Sequence, residues 1–76
     1  MSQAEQLIAG LGGANNISEL ESCITRLRVE VVDEALVDDE QLKSAGAFDV
    51  IKTSRIIQVV IGPTADTVSD DLRALL

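Results

Sequence analysis

Ile24-Thr25-Arg26-Leu27-Arg28-Val29-Glu30-Val31-Val32 is the stretch whose reading decides the fold. In an extended chain successive side chains point to opposite sides, so Thr25, Leu27, Val29 and Val31 face one way and Ile24, Arg26, Arg28 and Glu30 the other. One side is largely apolar and the other carries two arginines, the pattern of a half-buried strand. Immediately upstream the signal from Ile17 to Ser22 is mixed; Leu20 to Cys23 reads as a short preceding strand, joined through a turn near Ile24-Thr25.

Working outward, Asp38 is a good N-cap, with Gln41 three residues on and Val37 placed to staple Leu42, so a helix runs to about Ala45 and ends at Gly46. Phe48 to Lys52 and Arg55 to Ile61 are rich in β-branched residues, and Thr53-Ser54 between them predicts a hairpin. Gly62-Pro63 ends the last strand. Ala65, Val68, Leu72 and Leu75 then fall at helical spacing, with Asp66, Asp70 and Asp71 in the opening turns, where the helix dipole favours negative charge. At the other end, Ser2 and Glu5 form a capping box ahead of Leu7, Ile8 and Leu11; Gly12-Gly13 stops that helix and Ala14-Asn15-Asn16 reads as loop. Short links between strands favour antiparallel pairing, and three amphipathic helices can cover only one face of so small a sheet. The expected class is α+β: an open sandwich of a four-stranded antiparallel sheet with three helices on one face, in the order αββαββα, with residues 1–76 forming one domain.

A chain of 76 residues with 46% apolar content buries only about 60% of its unfolded surface, enough for one small core. Phe48 is the one aromatic residue, so that core is aliphatic and offers no platform for stacking bases or sugar rings. A net charge of −7 argues against nucleic acid as a partner, because phosphate backbones attract dense Lys and Arg. Cys23 is the only cysteine, which excludes an internal disulfide and the paired-cysteine zinc and redox patterns and suits a reducing cytosol. Asp33, Glu34, Asp38, Asp39 and Glu40 read as a solvated acidic segment without calcium-loop spacing, so no metal is expected. No Walker-type loop occurs, and no cofactor is implied. The N-terminus is polar and acidic and the longest apolar stretches are broken by Gln58 or by charges, so neither a signal peptide nor a direct membrane insertion is expected. Any span is then supplied by another chain or domain; Met1 fits either a separate polypeptide or the start of a longer chain cut at a domain boundary.

Chemistry concentrates in Cys23-Ile24-Thr25-Arg26-Leu27-Arg28. A lone Cys is more often a small buried hydrophobe than a nucleophile, but this one precedes a turn and has two of the chain's six basic residues within five positions. Positive charge favours the reactive thiolate over the thiol. A phosphoryl group on such a sulfur brings about −1.5 to −2 charge and three acceptor oxygens, to which arginine forks and turn N–H groups are suited. Thr25 is read as an ordinary strand or turn residue, Arg55 as a solvated edge charge, and Arg28 as free to pair with Glu30 or Glu21 in the ground state. Leu27 belongs to the core face, whereas Ile24 shares the arginine face and is a candidate contact for a partner protein.

At these residues the chain resembles the enzyme IIB domains of the glucose superfamily of bacterial sugar phosphotransferase systems. Cys-Ile-Thr-Arg-Leu-Arg is similar to that family's signature around its phosphorylated cysteine, and the likeness extends from Leu7-Ile8 and Leu11-Gly12-Gly13 through Asn16-Ile17 to Gln58-Val59-Val60-Ile61-Gly62. Glu21 stands where the family often has Asp, and Ile24 is more similar to the glucose and N-acetylglucosamine branch than to the β-glucoside branch. The resemblance implies a relay. A phosphohistidine on enzyme IIA donates to Cys23, the nucleophile and carrier, which passes the group to glucose or N-acetylglucosamine held by the membrane enzyme IIC. Arg26 and Arg28 would neutralise charge in the onward transfer, and the backbone amides of Ile24, Thr25 and Arg26 would cradle the phosphate. It implies a cytoplasmic location at the inner face of the plasma membrane, through enzyme IIC, for a protein that is a monomer by itself.

Two other classes fit less well. A thiol phosphatase has an Arg after five residues following its Cys; here Arg28 follows after four and Arg26 after two, Ser22 rather than His precedes the Cys, and no general acid is placed nearby. The non-enzymatic alternative is a small regulatory or protein-interaction domain with a structural thiol.

Overall fold

Leu27, Val29 and Val31 are buried together with Ile57 and Val59, while Arg26 and Arg28, which alternate with them, are exposed, so the alternation in the central strand sorts its side chains between core and solvent. The computed structural model describes all 76 residues, Met1–Leu76. Its elements are α1 (Gln3–Gly10), β1 (Ile17–Cys23), β2 (Arg26–Val31), α2 (Asp39–Ser44), β3 (Asp49–Thr53), β4 (Ile56–Val60) and α3 (Ala65–Leu75), with 3₁₀ turns at Ala14–Asn16 and Glu34–Leu36. The strands form one antiparallel sheet in the order β1-β2-β4-β3. Leu7 and Leu11 from the first helical segment, Leu42 from α2 and Val68 and Leu72 from α3 join the buried face of this sheet in a single aliphatic core. The other face is left open, which is what allows charged side chains to stand on it without desolvation. No helix is long and apolar enough to cross a membrane.

The helix caps are those expected. Glu5 N–H donates to Ser2 Oγ at 3.1 Å and Ser2 N–H to Glu5 Oε1 at 3.0 Å; these bonds from Ser2, the backbone one foremost, hold the Glu5 carboxyl below its ordinary 4.5. Gln41 N–H donates to Asp38 Oδ1 at 3.2 Å at the start of α2.

Three features depart from the expected boundaries. β1 begins at Ile17 rather than Leu20, because its pairing jumps from Ile17↔Val31 to Glu19↔Glu30 and Ser18 is an extra bulged residue. Ser18 Oγ donates to the Glu30 carbonyl at 3.0 Å. A bulge shifts the parity of side chains on either side of it, which is why the alternation there is blurred. The second hairpin turns at Ser54-Arg55 rather than Thr53-Ser54, with Thr53 paired to Ile56; Arg55 is exposed as expected, and its carbonyl accepts from Val31 N–H at 2.9 Å. The third departure is Asn16, read as loop but only 4% exposed. Its Nδ2 donates to the carbonyls of Leu11 (2.7 Å) and Asp33 (3.0 Å), and its Oδ1 accepts from Asp33 N–H at 2.9 Å. One amide thereby ties the end of α1 to the chain leaving β2. Gly12, at φ 101°, lies so close that a Cβ there would sit 2.5 Å from Asn16 Nδ2.

Along edge strand β1, Arg73 of α3 donates from Nη2 to the Leu20 carbonyl at 2.8 Å, capping one of the acceptors an edge strand leaves open. Within α3, Ser69 is fully buried and its hydroxyl has no partner.

Two stability measurements follow. Asn16→Ala strands polar groups of Leu11 and Asp33 and is expected to cost about 2–3 kcal/mol, seen as a lower urea midpoint with an unchanged slope; a loss under about 0.5 kcal/mol contradicts the stapling role. Ser69→Ala removes an unsatisfied buried hydroxyl and adds a better helix former, so it is expected to stabilise by about 1 kcal/mol. A lower melting temperature for that variant contradicts the assignment.

Candidate functional site

Cys23 is the last residue of β1 and Arg26 the first of β2, and they are paired across a two-residue turn. Ile24 has φ 57°, and Thr25 is not among the positive-φ residues, the pattern of a type II′ turn, whose first position favours Gly. A β-branched residue in the left-handed region is strained by roughly 1–2 kcal/mol. The strain is held by the two residues that follow β4: the amides of Ile61 and Gly62 both donate to the Thr25 carbonyl at 2.9 Å. The resulting tip is open, with Cys23 exposed as a free thiol and Ile24 85% exposed.

The register arranges the open face in rows. Cys23, Arg26, Val60 and Asp49 form one row; Glu21, Arg28, Gln58 and Ile51 form the next. The two arginines share a face, as the alternation required, and the hairpin register puts Cys23 on it with them, but they are held differently. Arg26 Nη1 donates to the neutral Gln58 Oε1 at 2.8 Å. Arg28 Nη1 bonds Glu21 Oε1 at 3.0 Å in a pair whose side chains are both more than half exposed, so of the two partners considered for Arg28 it is Glu21 that the register places opposite.

The turn amides also divide. Those of Ile24 and Thr25 donate to no acceptor in the protein, and remain open to an anion on the thiol. Arg26, as the residue closing the turn opposite Cys23, has its amide committed to the ladder; its contact with an anion would come from the guanidinium. Thr25 serves the turn through its carbonyl. Ser22, on the other face of β1, donates to Asp66 Oδ1 at 2.7 Å and so anchors the strand beneath the thiol to the first turn of α3.

The face that carries the thiol mixes cationic, apolar and acidic groups, with Glu19 and Glu30 paired one row beyond Glu21 and Arg28. Phe48 is 77% exposed and its ring lies beside Gly62, where a Cβ would come within 3.3 Å of it; Val60 and Ile24 complete the apolar part. The acids are less cleanly segregated than a simple partition between helices and sheet would have it, since Glu21 shares the Cys23 face and Asp49 ends its row.

Gln58 is the site residue missed in the sequence, where it registers as a break in an apolar run and as one end of a stretch similar to the family, with no role at the site. Its parity in β4, opposite to that of buried Ile57 and Val59, is the signal that places it beside the arginines once the hairpin register is known.

The fold is thus an open antiparallel sheet that presents an exposed, turn-borne thiol with two arginines in adjoining rows of the same face. Comparison with known proteins gives the family. Residues 5–38 match the model of the phosphotransferase system EIIB family. The chain is 52% identical over 75 residues to the N-acetylglucosamine-specific EIIB component of Streptomyces coelicolor, covering 99% of this chain and 97% of that one. It is 45% identical over 69 residues to the N-acetylglucosamine-specific EIICB component of Bacillus subtilis, covering 90% of this chain but only 15% of the relative. A crystal structure of one domain of the IIabc component from Clostridium difficile superposes with a TM-score of 0.82 at 27% identity, over 97% of this chain and 78% of the other. The chain belongs to the EIIB family of the phosphotransferase system. Like other EIIB components it is a phosphotransferase of sugar transport, and its relatives include chains in which the EIIB unit is joined to EIIC.

The strained tip has a measurable consequence. Ile24→Gly relieves the left-handed cost but adds unfolded-state entropy of about 0.5–1 kcal/mol, so a net stabilisation of up to about 1 kcal/mol is expected by chemical denaturation. A net loss of about 1 kcal/mol or more would show that the Ile24 side chain holds the turn by packing.

Proposed function

We propose that Cys23 carries the phosphoryl group, taking it from a phosphohistidine of an EIIA component and passing it to a sugar held by an EIIC component. In the first step the Cys23 thiolate attacks phosphorus, the P–N bond breaks and its electron pair returns to the donor imidazole. In the second, a sugar hydroxyl attacks phosphorus, the P–S bond breaks and the sulfur leaves as thiolate. The hydroxyl proton goes to a base on the EIIC component that holds the sugar. The observation that carries this reading is an exposed thiol at a turn with two unengaged amides and two guanidinium groups on its own sheet face.

Arg26 and Arg28 neutralise charge while the group is in transit, each offering a planar fork to equatorial oxygens. The net charge of −7 repels a phosphorylated donor at long range, so productive encounter rests on the local cationic and apolar tip, with Ile24 and Phe48 as partner contacts. The sugar is N-acetylglucosamine or glucose; the names of the Streptomyces and Bacillus relatives support the first. Residues 1–76 act as one unit and as a monomer, on the cytoplasmic side of the membrane, where EIIC presents the sugar.

Incubation with a phosphorylated EIIA of this type tests the reading. The wild type is expected to gain one phosphate and keep it until EIIC and sugar are added, and Cys23→Ser to gain none. Arg26→Lys and Arg28→Lys are expected to accept phosphate but to transfer it to sugar at least about tenfold more slowly, because Lys keeps the charge and loses the fork. Rapid release of phosphate to water in the absence of sugar would indicate a phosphatase, and full sugar transfer by both Lys variants would remove the arginines from the mechanism.

A further inference from the structure

Glu21 is the one carboxylate bonded to a site arginine, and a carrier of dianions has no evident need of it. It stands two residues before Cys23 on the same face of β1, directly opposite Arg28, and bonds that guanidinium at 3.0 Å. Arg26, by contrast, is held by a neutral amide. The two arginines are therefore unequal before any phosphate arrives: Arg26 keeps its full charge, and that of Arg28 is already balanced.

We infer that Glu21 is a positioning residue that sets how tightly the phosphoryl group is held on Cys23, by competing with it for Arg28. The inference rests on the phosphocysteine reading above. When Cys23 carries a dianion, Arg28 must exchange its carboxylate for phosphate oxygens to help bind it, and Glu21 is left on the same face as the new negative charge. Both effects raise the free energy of the phosphorylated state relative to the free thiol. A carrier gains from that, because interactions equally strong in the bound group and in the transition state do not speed its departure. With Glu21 as the resting partner, Arg28 is oriented on the open face yet does not over-stabilise the carried group. Because the pair is more than half exposed, the effect is modest and sensitive to salt.

The experiment uses the full chain and an EIIA of the N-acetylglucosamine or glucose type, charged with phosphate and separated from its own donor. The equilibrium ratio of phosphorylated chain to phosphorylated EIIA is read by intact-mass spectrometry. Glu21→Gln is expected to shift this ratio toward the phosphorylated chain roughly three- to tenfold at low salt, with the shift shrinking at high salt, and to lower kcat for transfer to sugar more than it alters KM. Glu21→Asp, which keeps the charge, is expected to return the ratio most of the way to wild type. A purely structural role would not give a salt-dependent shift of this sign. If the wild type takes no phosphate, the phosphocysteine reading itself fails. If the wild type takes it and Glu21→Gln leaves the ratio unchanged, or shifts it toward EIIA, the assignment of Glu21 is overturned.

Discussion

Two amides, those of Ile61 and Gly62, converge on the carbonyl oxygen of Thr25, and the geometry of the site depends on that convergence. Without it the tip between β1 and β2 has little reason to keep a β-branched residue in the left-handed region, since Ile24 contributes almost no buried area in return. With it, the turn is fixed from the neighbouring strand, Cys23 and Arg26 face each other as the closing pair, and the amides of Ile24 and Thr25 are left without internal acceptors. Two hydrogen bonds at about 1 kcal/mol each are comparable with the strain they oppose. The site is thus held by the chain leaving β4, a strand whose far face lies in the aliphatic core with Leu27 and Val29.

The uncovered sheet face is the second constraint. Burying both faces would have forced the arginines to find buried partners at a desolvation cost of several kcal/mol per charge. Leaving one face open places them in water, where each can change partner at small cost. Arg26 rests on Gln58 and Arg28 on Glu21, and neither contact is strong enough to resist a dianion with three acceptor oxygens. The chain's excess of acid is tolerated because most of its carboxylates are exposed, with those at Glu5 and Asp38 capping helices.

Most of the fold was legible in the sequence, because the central strand alternates cleanly and the helix caps at Ser2 and Asp38 are made by the residue types that cap best. What escaped did so for identifiable reasons. The Ser18 bulge inserts one residue into β1 and mixes its two faces. Asn16 carries a polar side chain at a buried corner, and only the approach of Leu11 and Asp33 from either side shows that all its bonds are met. Arg26 and Arg28 could be grouped from spacing alone, since i, i+2 residues of one strand share a face, and Cys23 from its nearness in sequence; that it stands on their face follows from its pairing with Arg26 across the turn. Gln58 could not, and neither could the choice of Glu21 over Glu30 for Arg28, because both depend on the pairing register between strands, which no local pattern specifies. The same limit applies to the commitment of the Arg26 amide, which follows from its place opposite Cys23.

The central claim is that one sulfur atom forms a covalent bond to phosphorus. The most direct measurement is a proton–phosphorus correlation spectrum of the chain after phosphorylation by EIIA, in which three-bond coupling through sulfur links phosphorus to the β-protons of the residue that bears it. The account predicts a single protein-bound phosphorus signal correlated with the β-protons of Cys23. A phosphorus signal correlated with any serine, threonine or aspartate, or none bound to the protein while EIIA is discharged, would contradict it.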